Sequence, residues 1–139
     1  MIQYGALHSG IFGGVLLEGE ESVLRVYRRS IKSILDLIIL VLLESTPAMG
    51  AYDIISSIHN KFNILVSPGT IYPILKILEE RGLIEIELKE RKKVYRLTEE
   101  GRAKIEALIE EFVKTHQKIF NVLGIGARRG ELSEKGMPF

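Results

Sequence analysis

The chain has 139 residues, 46% of them hydrophobic and 27% charged, with 19 Lys+Arg against 18 Asp+Glu and a formal net charge of +1. That length fits one small domain with appended ends, and the apolar content excludes disorder for its body. The lack of Cys excludes disulfides, Cys-bound zinc and thiol catalysis, and the balanced charge excludes nucleic-acid binding through bulk charge, leaving only local patches.

Glycine placement suggests the boundaries. Of 13 glycines, five fall in residues 1–19 and four in residues 124–139. Residues 1–29 are expected to form an N-terminal extension of undefined order, in which Ser22 to Arg29 offers a helix start. The apolar segment Ile11 to Leu17 has no basic residue before it and is followed by Glu18, Glu20 and Glu21, unlike an export signal. Residues 30–98 read as the folded domain, 99–123 as a long helix, and 124–139 as a flexible tail.

Within the domain, Ile31 to Leu43 keeps helical spacing at 31, 34, 35, 38, 39 and 42. Its apolar run Leu37 to Leu43 is too short to cross a membrane, which needs about 20 such residues. A cytoplasmic chain with no membrane partner is expected. Thr46 to Gly50 reads as a turn, Ala51 to His59 as a short helix, and Lys61 to Val66 as a loop or brief extended segment. Ser67-Pro68 then marks an N-cap followed by a proline in the first turn, opening a helix that Gly82 stops. Leu83 to Leu88 alternates apolar and acidic residues, as a half-buried strand does. Glu90 to Lys93 turns the chain, and Val94 to Leu97 returns it. Thr98 caps a final helix over 99–123. The fold class is mainly α with a small β-hairpin: a winged helix-turn-helix with a long C-terminal helix.

Nothing in the sequence supports catalysis. His8, His59 and His116 lie in separate elements, and no nucleophile, metal or phosphate-loop pattern occurs. Gly124-Ile125-Gly126 follows a helix and lacks the third glycine of a dinucleotide loop. No catalytic residue, metal or cofactor is expected.

The helix from Ser67 is the natural reader of double-stranded DNA, because the second helix of such a pair enters the major groove. Ile71, Ile74, Leu75 and Leu78 fall on its inner face, and Gly69, Tyr72, Pro73 and Lys76 lie opposite, with Ser67 and Thr70 at its open N-terminus. Five positive charges cluster in the hairpin, at Lys89, Arg91, Lys92, Lys93 and Arg96, where a wing would lie over the DNA backbone or minor groove. Arg25, Arg28 and Arg29 offer a second patch of undefined placement. The final helix carries Ile105, Leu108, Ile109, Phe112, Val113, His116, Ile119, Phe120 and Leu123, a stripe too wide for a helix that merely closes a small domain. At 1.5 Å per residue it runs roughly 37 Å. A second copy of the same helix would cover it, giving a homodimer, and packing against residues 1–29 is the alternative.

Several blocks together resemble the PadR family of winged-helix transcriptional regulators. They are Leu35-Asp36-Leu37-Ile38-Ile39-Leu40, Gly50-Ala51-Tyr52-Asp53-Ile54-Ile55, Ser67 to Leu75, Leu78-Glu79-Glu80-Arg81-Gly82-Leu83-Ile84, and Tyr95 to Gly101. The Gly-Thr-Ile-Tyr-Pro block followed by Leu-Glu-x-x-Gly-Leu-Ile is the specific part. The resemblance implies a homodimeric regulator, usually a repressor, that binds a palindromic operator. By position it implies DNA contacts from Ser67, Gly69, Thr70, Tyr72 and Lys76 of the helix and from Arg91, Lys92 and Lys93 of the wing. It also implies a possible small-molecule effector at the dimer interface, although the chain has no Trp to line such a pocket. Phe112, His116 and Phe120 would line it if it exists, with plain packing the simpler role. The first 29 residues match nothing in the family pattern. The rival reading is a winged-helix protein–protein interaction module without DNA binding.

Overall fold

The computed structural model describes residues 19–124, so the expectations for His8, for Ile11 to Leu17 and for residues 125–139 lie outside the described residues. The elements are α1 (Gly19–Lys32), α2 (Leu35–Ser45), α3 (Ala51–Phe62), α4 (Pro68–Glu80), β1 (Ile84–Lys89), β2 (Lys92–Leu97) and α5 (Glu99–Leu123). Contacts divide the chain into two compact units, one ending at Arg102 and one beginning at Ala103.

The single helix predicted over 31–43 is broken. Ile34 N–H bonds the Ile31 carbonyl at 3.1 Å, a three-residue turn, and Ser33 Oγ donates to the Ser30 carbonyl at 2.7 Å. A serine side chain that takes a backbone carbonyl offers the chain an exit from the helix. The ladder restarts with Ile38 N–H on Ile34 O. Helix α3 runs further than Ala51 to His59, because Asn63 closes it in the left-handed region at φ 54°, where asparagine is tolerated. At its start Asp53 accepts the Gly50 N–H at 2.9 Å.

The first unit has one core. Leu35, Ile39, Leu40 and Leu43 of α2 meet Ile54 and Ile58 of α3, Ile71, Leu75 and Leu78 of α4, and Ile84 of β1, all almost fully buried. Each such side chain contributes about 1.5–3 kcal/mol by leaving water. The link between α3 and α4 is pinned because Ile64 and Val66 are buried while Leu65 between them is exposed. Thr46 to Gly50 is more than a turn. Met49 exchanges backbone hydrogen bonds with Tyr95 at 3.0 and 2.7 Å, adding a one-residue third rung to the hairpin.

The strands pair antiparallel with Ile84 opposite Leu97, Ile86 opposite Tyr95 and Lys89 opposite Lys92. The turn is therefore only Glu90-Arg91, and Lys92 and Lys93 belong to β2. Both turn residues have positive φ, 52° and 68°, as a two-residue turn that matches the strand twist requires. Neither residue suits that region, and each costs about 1 kcal/mol there. Replacing Glu90→Asn and Arg91→Gly together is expected to raise unfolding stability by about 1 kcal/mol in a urea titration. An unchanged or lower midpoint would contradict that turn geometry.

Candidate nucleic-acid interface

Helix α4 begins at Ser67, which sits at the N-cap in extended backbone with Pro68 as the first helical residue. Its hydroxyl does not cap the helix as the sequence suggests. Ser67 Oγ instead meets Thr70 Oγ1 at 3.2 Å, and the Ser67 carbonyl takes the N–H groups of Thr70 and Ile71. The Gly69 N–H has no place in the intrahelical ladder. Pro73, inside the helix, has no N–H to return to the Gly69 carbonyl. Both polar groups of Gly69 therefore lie at an exposed helix start.

Around α4, Ile71, Leu75 and Leu78 are buried, whereas Gly69, Thr70, Tyr72, Pro73 and Lys76 are exposed, Tyr72 at 45%. Nothing in the chain forbids a side chain at Gly69: an added Cβ meets only Ser67 Oγ, at an ordinary 3.6 Å. The hairpin flanks one edge of this outward face. The Tyr95 ring is buried, and its hydroxyl pKa is raised above 10.0 by burial and then by the nearby Tyr72 and Glu79. Tyr95 thus fastens the wing to the reading helix, a role that a tyrosine at an inward strand position hints at but does not prove. The other edge is the α1–α2 junction, where Lys32, Ser33, Leu35 and Asp36 face Ile74, Ile77, Leu78 and Arg81 across a cleft of about 280 Å³.

The wing cations do not form one cluster. Lys93 shares a hairpin face with Leu88, Ile86 and Tyr95, whereas Lys89 and Lys92 share the other with Glu85, Glu87 and Arg96. Arg96 is committed to Glu87 at 2.8 Å. Arg91 stands at the turn. The arrangement brings Ser67, Gly69, Thr70, Tyr72 and Lys76 onto one exposed surface and splits Lys92 from Lys93.

In the second unit, α5 carries the apolar stripe. Ile105 is buried; Ile109, Phe112 and His116 are half-buried; Leu108, Val113, Ile119, Phe120 and Leu123 are exposed. His116 stacks at 3.9 Å on Phe112 and meets Phe120 edge-on at 6.2 Å, and its Nδ1 donates to the Phe112 carbonyl at 2.9 Å. An aromatic column thus runs along the stripe. Among the described residues no group of three or more His, Cys, Asp or Glu could hold a metal ion, and no helix is long and apolar enough to cross a membrane.

Residues 39–107 match the transcriptional regulator PadR-like family. A transcriptional regulator from Clostridium thermocellum superposes with a TM-score of 0.61 at 28% identity, covering 67% of this chain and 96% of that one. A PadR-like transcriptional regulator from Bacillus cereus gives 0.57 at 25% identity, covering 68% and 96%. The transcriptional activator GvpE2 of Halobacterium salinarum is 34% identical over 65 residues, 47% of this chain. The chain spans about a third of that relative's length, 34%.

Proposed function

The chain belongs to the PadR-like family of transcriptional regulators, and on that footing we propose that it is a cytoplasmic, homodimeric repressor that binds a palindromic operator. The observation that carries this is the exposed outward face of α4, with Gly69, Thr70, Tyr72 and Lys76 set between the hairpin and the α1–α2 junction. The N-terminus of α4 gives backbone N–H groups and hydroxyls to phosphates, Tyr72 and Lys76 face the groove, and Arg91, Lys92 and Lys93 reach the flanking backbone.

The apolar stripe of α5 supports the dimer. A contiguous apolar surface of this kind on a monomer is a docking surface, and a second α5 is self-complementary to it. Two-fold symmetry then asks for two half-sites about one helical turn, ~34 Å, apart. The Phe112–His116–Phe120 column is where a flat or hydrophobic effector would intercalate and alter the half-site spacing. Repression needs only occupancy of a promoter. A relative named as an activator supplies the second reading, in which the bound dimer raises transcription.

Nuclease footprinting of the DNA upstream of the protein's own gene tests the proposal, with transcript levels measured in a deletion strain. Two protected half-sites related by a dyad and a rise of transcript on deletion are expected. A fall of transcript would favour the activator. No protection on any genomic fragment would favour a protein–protein interaction module.

A further inference from the structure

Helix α1 lies outside the residues that match the family, 39–107, so the family assigns it nothing. It is sharply two-faced. Arg25, Arg28, Arg29 and Lys32 follow the spacing i, i+3, i+4, i+7 and form one cationic stripe, while Val23, Val26 and Tyr27 lie on the opposite side. The stripe lines a shallow depression of about 380 Å³, with Glu21 at its far end. Within it, Arg25 meets Glu21 at 3.4 Å, and no ion pair joins Arg28, Arg29 or Lys32 to a described carboxylate.

Two contacts fix where the stripe lies. The Tyr27 hydroxyl donates to the Phe62 carbonyl at the end of α3, 2.9 Å away. Lys32, the last member of the stripe, also lines the cleft whose other wall is Ile74, Ile77 and Arg81 of α4. On α4 that wall is the edge away from the hairpin, because Tyr72 and Glu79 face Tyr95 on the other. The cationic stripe therefore runs up to the reading helix from the flank opposite the wing.

We propose that Arg28, Arg29 and Lys32 of α1 form a second phosphate-binding element, which grips the DNA backbone on the side of α4 opposite the wing. The proposal rests on the DNA-binding reading above. A stripe of three cations with no sequence-reading geometry adds affinity through counterion release and leaves base preference unchanged.

The test is fluorescence anisotropy of the full chain on two duplexes between 50 and 200 mM salt: the DNA upstream of its own gene, and a random sequence of equal length. The variant is Arg28→Gln/Arg29→Gln/Lys32→Gln, with Arg28→Lys/Arg29→Lys as the charge-preserving control. Each lost phosphate contact removes about 0.9 from the slope of log affinity against log salt. The triple variant is expected to lose about 2–3 from that slope and about tenfold or more in affinity at 100 mM salt, equally on both duplexes. The lysine control keeps the parent slope, and thermal melts followed by circular dichroism show all three proteins folded. A parent that binds with a steep slope and a triple variant with the same slope and affinity would overturn this inference and leave the DNA-binding reading standing. The same result, together with co-sedimentation of the parent on vesicles one-third phosphatidylserine in phosphatidylcholine, would assign the stripe to an anionic membrane. A parent that binds neither duplex would remove the DNA-binding reading itself, and this assignment with it.

Discussion

Gly101→Ala is expected to cost at least about 3 kcal/mol of unfolding stability, the upper range for overpacking. A Cβ at Gly101 would fall on the carbonyl oxygen of Leu83 and 2.9 Å from Leu97 Cδ1. Leu83 has no freedom to yield. Its carbonyl accepts the Thr98 N–H at 3.1 Å, and its own N–H bonds the Leu78 carbonyl at 3.0 Å in the motif that ends α4. Thr98 ties the same spot together: its hydroxyl accepts the Gly101 N–H at 2.9 Å and donates to the Gly82 carbonyl at 2.6 Å. The close approach of the α5 start to the α4 end is thus what seats β1 beside the reading helix. Urea denaturation of the variant measures the loss. A change below about 1 kcal/mol would contradict this packing.

The second large effect concerns binding and leaves the fold intact. Tyr72→Ala, Lys76→Ala and Lys92→Ala together are expected to lower operator affinity by about a hundredfold or more, at one to three kcal/mol for each contact that fixes or reads the duplex. All three side chains are exposed, so the melting temperature moves little. Gly69→Ala makes a sharper contrast. Alanine is the better helix former by about 1 kcal/mol and has room inside the chain, so this variant is expected to be more stable. It binds more weakly if the Gly69 backbone approaches phosphate. Normal binding by the triple variant, measured by mobility shift, would mean that another surface reads DNA.

The legible parts of the fold were those set by local pattern. Apolar periodicity marked the helices, alternation marked β1, and Ser67-Pro68 and Gly82 bracketed α4 because capping and left-handed backbone restrict residue choice. What stayed hidden depends on partners distant in sequence or on backbone geometry. The break at Ser33-Ile34 interrupts an unbroken apolar period. The Met49–Tyr95 rung joins residues 46 positions apart, and no local pattern announces it. The Glu90-Arg91 turn lacks asparagine and glycine, so nothing in its composition marks two left-handed residues. For the candidate site, the residues of α4 were legible from helical angle alone. The separation of Lys92 from Lys93 was not, because one residue of strand register decides which face a side chain takes. The stripe on α1 was visible only as Arg25, Arg28 and Arg29, and its direction needed Tyr27 and Lys32 in place.

The measurement that bears most directly on a DNA-binding regulator is a mobility shift of the intact protein with the DNA upstream of its own gene, at two salt concentrations, with excess random-sequence competitor. The account predicts a discrete complex that survives the competitor and weakens steeply as salt rises, as several phosphate contacts require. Binding that the competitor removes, at both salts and on every other genomic fragment tried, would contradict it.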